Sequence, residues 1–248
     1  MSDHTVKAYD EELSRLKTML AQMGGLAEEQ LARAMNALSQ RDTQLADLVI
    51  ADDAKIDALE LAIEERSVTT IAKRQPMASD LREIVSALKI SSDLERMGDY
   101  AANVAKRAIA ISQLPAVRPA GSIPRMARLV QAIIKDVLDA YVERDAERAV
   151  DAWRRDEEVD EMYTSIFREL LTYMMEDPRN ISACTHLLFV AKNIERIGDH
   201  ATNIAEIIHY LVLGRQIDRA RPKGDTTSFA VVTPGEPTRT KPSNEAGE

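Results

Sequence analysis

Residues 94–105 read LERMGDYAANVA, and residues 194–205 read IERIGDHATNIA. Glu95 and Glu195, Asp99 and Asp199, and Asn103 and Asn203 each stand 100 positions apart. Within each copy Glu, Asp and Asn recur at i, i+4 and i+8, which puts three oxygen-bearing side chains on one face of a helix. Apart from Thr202, the positions one heptad away from the glutamates are apolar. Leu81, Leu88, Ala102 and Ile109 share the register of Glu95, and Leu188 and Thr202 that of Glu195. A carboxylate at a core register is costly unless it binds something, and here the arrangement occurs twice.

Working outward, the duplication extends to a second pair of motifs. Asp53-Ala-Lys-Ile-Asp57 matches Asp156-Glu-Glu-Val-Asp160, 103 positions further on. The offset shrinks to 100 because the turn RQPMASDLR in the first half is the longer one. Val49, Asp53, Ile56 and Ile63 share one stripe, and Ala152, Asp156, Val159 and Tyr163 share the corresponding one. Each half therefore supplies four carboxylates, two per helix: Asp53, Asp57, Glu95 and Asp99, then Asp156, Asp160, Glu195 and Asp199. Asn103 and Asn203 add a neutral oxygen to each set.

Composition points to an all-α fold. Only 4% of the 248 residues are aromatic, and glycine and proline number nine each, which favours long helices over a sheet. The punctuation predicts helices near 5–39, 42–74, 78–111, 123–143, 145–176 and 178–213. Asp42 and Asp177-Pro178 read as helix starts, as does Ser122 with Pro124 behind it, and Pro76 interrupts 71–80. Two tandem three-helix bundles result, over 1–114 and 122–214, joined by a linker at 115–121. Four of the nine prolines fall after Gly214, so 215–248 reads as a disordered tail. Gly24-Gly25 inside the first helix marks a kink or a close helix crossing.

Several function classes drop out. The net charge of −9 and the absence of a basic stripe with aromatics argue against nucleic-acid binding. The single cysteine, Cys184, forms no internal disulfide and reads as a packed, inert thiol. There is no signal-like start and no 18-residue apolar run, so a soluble cytoplasmic protein is expected. No phosphate loop, nucleophile elbow or CxxC occurs. His186, His200 and His209 read as surface or packing residues, and the Glu-x-x-His of di-iron bundles is missing.

Like charges gathered in a partly apolar environment repel, and a multivalent cation resolves the conflict. Carboxylate and amide oxygens are hard ligands suited to Fe, Mn, Mg or Ca and acceptable to Zn or Ni. Gly98 and Gly198, beside the motifs, suit close approach of a neighbouring helix or ligand. The rival readings are carboxylates ion-paired at helix surfaces, with Arg96 and Arg196 as partners on a purely structural scaffold, and a carboxylate-bridged metal enzyme.

MGGL (23–26), IAKRQPMASDLR (71–82), LERMGD (94–99), TYMMEDPR (172–179) and IERIGD (194–199) together resemble the PhoU family of phosphate-transport regulators, across about residues 5–213. The resemblance implies two similar three-helix bundles. It also implies metal at the E/D-x-x-x-D motifs, here Asp53, Asp57, Glu95, Asp99, Asp156, Asp160, Glu195 and Asp199, with Asn103 and Asn203 alongside. By the same resemblance the function is regulatory rather than enzymatic. Such a protein restrains phosphate uptake and the phosphate-starvation response by linking the ATPase subunit of a phosphate ABC transporter to a sensor histidine kinase. The exposed faces of two bundles suit a homodimer. Membrane association would be peripheral, through partners. Arg74, Gln75 and Arg82 are candidates for a partner surface, against a purely local role in capping and pairing the turn.

Overall fold

The computed structural model describes residues 2–115, 121–218 and 227. Helices α1 (Ser2–Gln40), α2 (Thr43–Arg74) and α3 (Ser79–Ser112) form the first repeat. The second comprises α4 (Ser122–Glu143), α5 (Ala146–Arg154), α6 (Asp156–Glu176) and α7 (Ile181–Leu213), with a 3₁₀ turn at Pro178–Asn180 leading into α7. Among the described residues there is no strand. The six-helix plan of the duplication holds, and the expectations for 116–120 and for most of the tail lie outside the described residues.

Two starts follow the expected chemistry. Asp42 accepts from the Leu45 N–H at 3.0 Å, and Asp177 accepts from the Arg179 N–H at 3.0 Å before Pro178. The turns joining α1 to α2 and α4 to α5 are copies of each other. Arg41 and Arg144 take φ of 56° and 55°, followed by the N-caps Asp42 and Asp145. An equivalent ion pair survives in both repeats with its charges exchanged. Arg33 of α1 holds Asp52 of α2 at 2.6 Å, whereas Asp136 of α4 accepts from Arg155 at 2.9 Å.

Two expectations are corrected. The helix expected at 145–176 is broken at Arg155, whose N–H turns back to the Ala152 and Trp153 carbonyls. No glycine or proline signals this break. Arg155 reaches α4 just as Asp52 of the unbroken α2 reaches α1, and the contact without a first-repeat counterpart is that of Trp153, whose Nε1 donates to Glu206 of α7 at 2.8 Å. Ser122 is not an N-cap. Gly121 occupies that position without a side-chain cap, and the Ser122 hydroxyl donates to Glu169 at 3.1 Å.

One apolar core runs through both repeats, from Leu16 and Leu20 of α1 to Ile208 and Leu211 of α7. The most extensive helix pair is α3 with α7. Asp93 meets His200, and Arg107 meets His186, so the two run antiparallel. At Gly24 a Cβ would lie 2.2 Å from Leu138 Cδ2, so the first glycine of the pair marks a close crossing of α1 over α4. Cys184 is fully buried, and burial pushes its thiol pKa up, consistent with an inert thiol. No helix of the described residues is long and apolar enough to cross a membrane.

Candidate metal centres

In the first repeat α2 and α3 face each other with Asp53, Asp57 and Glu60 on one side and Glu95 and Asp99 on the other. Burial raises the pKa of Asp53, opposed by a hydrogen bond from Gln30 and reinforced by Asp57 and Asp99. Burial raises Glu95 as well, with Asp99 as the next contributor, and Glu60, with Glu64 and Asp57 adding to the rise. Arg96 lies at the rim, 3.5 Å from Glu95 and 3.4 Å from Asp99, and is largely exposed. One more group comes from α1. Gln30 is buried, and its Nε2 donates to Asp53 Oδ1 at 3.0 Å and to the Val49 carbonyl at 3.3 Å. Its Oε1 has no hydrogen-bond partner.

The second repeat is drier. Asp156, Asp160 and Glu195 are 2%, 4% and 5% exposed, whereas Asp57 is exposed and Glu95 half-buried. The Thr202 hydroxyl lies 3.3 Å from Asp156 Oδ1, and Asp156, Asp160 and Asp199 all have interaction partners. Lys192 donates to Glu195 Oε1 at 2.9 Å and sits 4.8 Å from the Tyr163 ring centroid. Glu195 Oε2 is buried without a hydrogen-bond partner. Burial pushes the Glu195 carboxyl up to about 7, with Asp199 and Asp160 adding to the rise and Lys192 opposing it.

The asparagines make contacts outside the acidic sets. Asn103 Oδ1 accepts from Lys106 at 3.4 Å, and the Asn203 amide donates across the repeat boundary to Asp93 Oδ1 at 3.3 Å. His200, one residue after Asp199, is held 2.7 Å from the same Asp93 oxygen. The three candidates for a partner surface are engaged within the chain. Arg74 donates twice to Glu12, Gln75 closes α2 in a left-handed conformation, and Arg82 packs on Gly214 and over the Tyr210 ring.

The donor chemistry fits a hard cation: paired carboxylates at both centres, with an orphan buried oxygen at each. Among the described residues no three acidic, histidine or cysteine side chains converge on one point as a ready ligand set.

The cradles differ in tightness. A Cβ at Gly98 would lie 2.9 Å from Ile56 Cδ1, 3.0 Å from Asp53 Oδ1 and 3.3 Å from Gln30 Oε1, whereas at Gly198 the nearest atom is Val159 Cγ1 at 3.3 Å. Alanine is the better helix former by about 1 kcal/mol. Gly198→Ala is therefore expected to be close to neutral, the gain in helix propensity being set against the few tenths of an ångström by which the buried Val159 must shift. Gly98→Ala is expected to be destabilising by about 1–2 kcal/mol, because Asp53 is pinned by Gln30. Equal shifts of both variants in thermal unfolding would defeat this reading of the two cradles.

Sequence reasoning missed Gln30, Glu60 and Lys192. Gln30 is a polar residue on the buried stripe of α1 between Met23 and Ala37, which is a signal, but its target depends on how α1 docks. Glu60 follows Asp57 by one turn. Lys192 shows only when the repeats are compared, because the first has Ser92 there.

Comparison with known proteins then places the chain. The PhoU domain matches residues 20–108 and again 123–208. The chain belongs to the PhoU family. It is 56% identical over 229 residues to the phosphate-specific transport system accessory protein PhoU homolog of Caulobacter vibrioides, covering 92% of this chain and all of that one. The homolog of the same name in Rhizobium meliloti is 54% identical, over 91% of this chain and 95% of its own. The crystal structure of PhoU from Pseudomonas aeruginosa superposes with a TM-score of 0.80 at 42% identity, over 84% of this chain and all of that one. The phosphate transport system regulatory protein PhoU from Streptococcus pneumoniae gives 0.79 at 31% identity, over 85% and 100%. The double domain match coincides with the two repeats that carry the acidic centres.

Proposed function

We propose that this PhoU-family chain is a metal-binding regulatory adaptor that restrains phosphate uptake and the phosphate-starvation response. The observation that carries the proposal is the pair of acidic centres in a chain 56% identical, over the whole of a relative, to a protein named as an accessory of phosphate transport. In this reading Asp53, Asp57, Glu95 and Asp99, and Asp156, Asp160, Glu195 and Asp199, hold Fe, Mn, Zn, Ni, Mg or Ca. The ion supplies the positive charge that lets the carboxylates of neighbouring helices draw together. The resulting rigid faces are docking surfaces for the ATPase subunit of a phosphate ABC transporter and for a sensor histidine kinase, in a homodimer working in the cytoplasm.

A catalytic reading has no comparable support. The histidine nearest the second set, His200, is held by Asp93 of the other repeat rather than by the acids.

Elemental analysis of protein purified without chelator tests the proposal, beside a variant combining Asp99→Ala and Asp199→Ala. Stoichiometric metal in the parent, its loss in the variant and derepressed phosphate uptake in cells carrying that variant are the expected results. Full metal content with normal repression in the variant would sink it.

A further inference from the structure

The two centres descend from one unit, so positions where the repeats disagree carry information. Three disagree in residue and in the same sense, and a fourth differs in burial alone. Glu60 in the first repeat corresponds to Tyr163 in the second, which removes a carboxylate. Ser92, exposed, corresponds to Lys192, whose ammonium is 2.9 Å from Glu195 and lies over Tyr163. Gln30, buried with an unpartnered Oε1 beside Asp53, corresponds to the fully buried Ile133. Asp57, exposed, corresponds to Asp160, which is buried.

The first centre thus gathers five carboxylates and a spare amide oxygen, with the largely exposed Arg96 pairing at the rim with Glu95 and Asp99 at 3.5 and 3.4 Å. The second has four carboxylates, and an ammonium that belongs to the protein stands 2.9 Å from one of them, Glu195. An ammonium in contact with Glu195 supplies part of the charge an ion would supply, and it repels an incoming multivalent cation. Stacking on Tyr163 holds it in place.

We propose that the two centres are inequivalent. The first is the principal site for a hard multivalent cation, with Gln30 positioning Asp53. The second uses Lys192 as its resident counter-cation and binds metal more weakly. This rests on the metal-binding reading above.

The test is a Mn²⁺ titration of the full chain stripped of metal, followed by the EPR signal of free Mn²⁺ and by thermal unfolding. Asp53→Asn with Asp99→Asn is expected to abolish the tight binding step, and Asp156→Asn with Asp199→Asn to retain it. Lys192→Ser is expected to tighten the weak step at least about tenfold. Ser92→Lys, on an exposed position where folding is not at stake, is expected to weaken the tight step. Equal losses from the two double variants would overturn the inequivalence while leaving metal binding intact, and so would Lys192 and Ser92 variants that bind like the parent. A parent chain that binds no Mn²⁺ would overturn the metal reading and this inference with it.

Discussion

Raising the pH from about 4.5 to about 7.5 is expected to destabilise the metal-free protein by on the order of 3 kcal/mol through Glu195 alone. Its carboxyl titrates near 7 in the fold, against an ordinary value of 4.5. Between those values the folded chain holds a proton that the unfolded chain has released. Stability is therefore fully present below the unfolded value and is lost as pH rises towards 7, then levels off. Asp53, Glu60 and Glu95, raised chiefly by burial, push in the same direction.

The carboxylates held below their ordinary range act elsewhere. Arg74 lowers Glu12, Lys55 and Arg33 lower Asp52, and Lys135 lowers Asp139. Burial opposes the lowering of Glu83, which hydrogen bonds from Lys17 and Arg144 bring about. Their stabilising effect is present above the unfolded carboxylate range and is lost only in more acidic solution.

Glu195→Gln removes the charge and keeps the shape. It should flatten the profile between pH 4.5 and 7 and leave the metal-free variant more stable than the parent at pH 8. Chemical denaturation across that range reads this directly. A variant whose stability tracks the parent at every pH would show that Glu195 is not the buried acid described here. A bound cation reverses the trend, because metal binding favours the deprotonated carboxylate.

The duplication made most of the fold legible. Two matched motifs at nearly constant offset gave the repeats, and proline, glycine and N-cap aspartates gave helix ends to within a few residues. The acids themselves were legible because a Glu at a heptad position otherwise filled by Leu and Ala needs a reason. Interactions between distant segments were not. The break at Arg155 is flanked by contacts to Asp136 and Glu206, neither of which is a neighbour in sequence. Gln30 reaches Asp53 only once α1 has docked. Asn203 shares the spacing of Glu195 and Asp199, yet its amide is turned to Asp93 of the other repeat. Periodicity assigns a residue to a face, and the choice between two partners on that face is made by packing.

That same cross-repeat packing predicts a single cooperative unfolding transition. Leu94 and Ile194 are equivalent positions, one per repeat, and both are fully buried in one continuous core. Truncating either to alanine removes buried methyl groups and leaves a cavity, which costs about 2–5 kcal/mol. For a chain of this size each kilocalorie moves Tm by about 2–4 °C, so each variant should melt roughly 10 °C lower. If the repeats were independent domains, calorimetry would resolve two transitions, and Leu94→Ala would move one while Ile194→Ala moved the other.

The structure argues for one transition moved by both. Asp93 of α3 holds His200 and Asn203 of α7, and Arg107 of α3 stacks on Phe189 and meets His186. Glu83 of α3 ties Lys17 of α1 to Arg144 at the end of α4. Helices α3 and α7 each present acids to their own repeat while gripping the other, so neither centre can loosen its helix without disturbing its counterpart. Filling one centre should then raise the Tm of the whole chain, and an ion at the first centre should protect the Ile194→Ala variant as well as the Leu94→Ala variant.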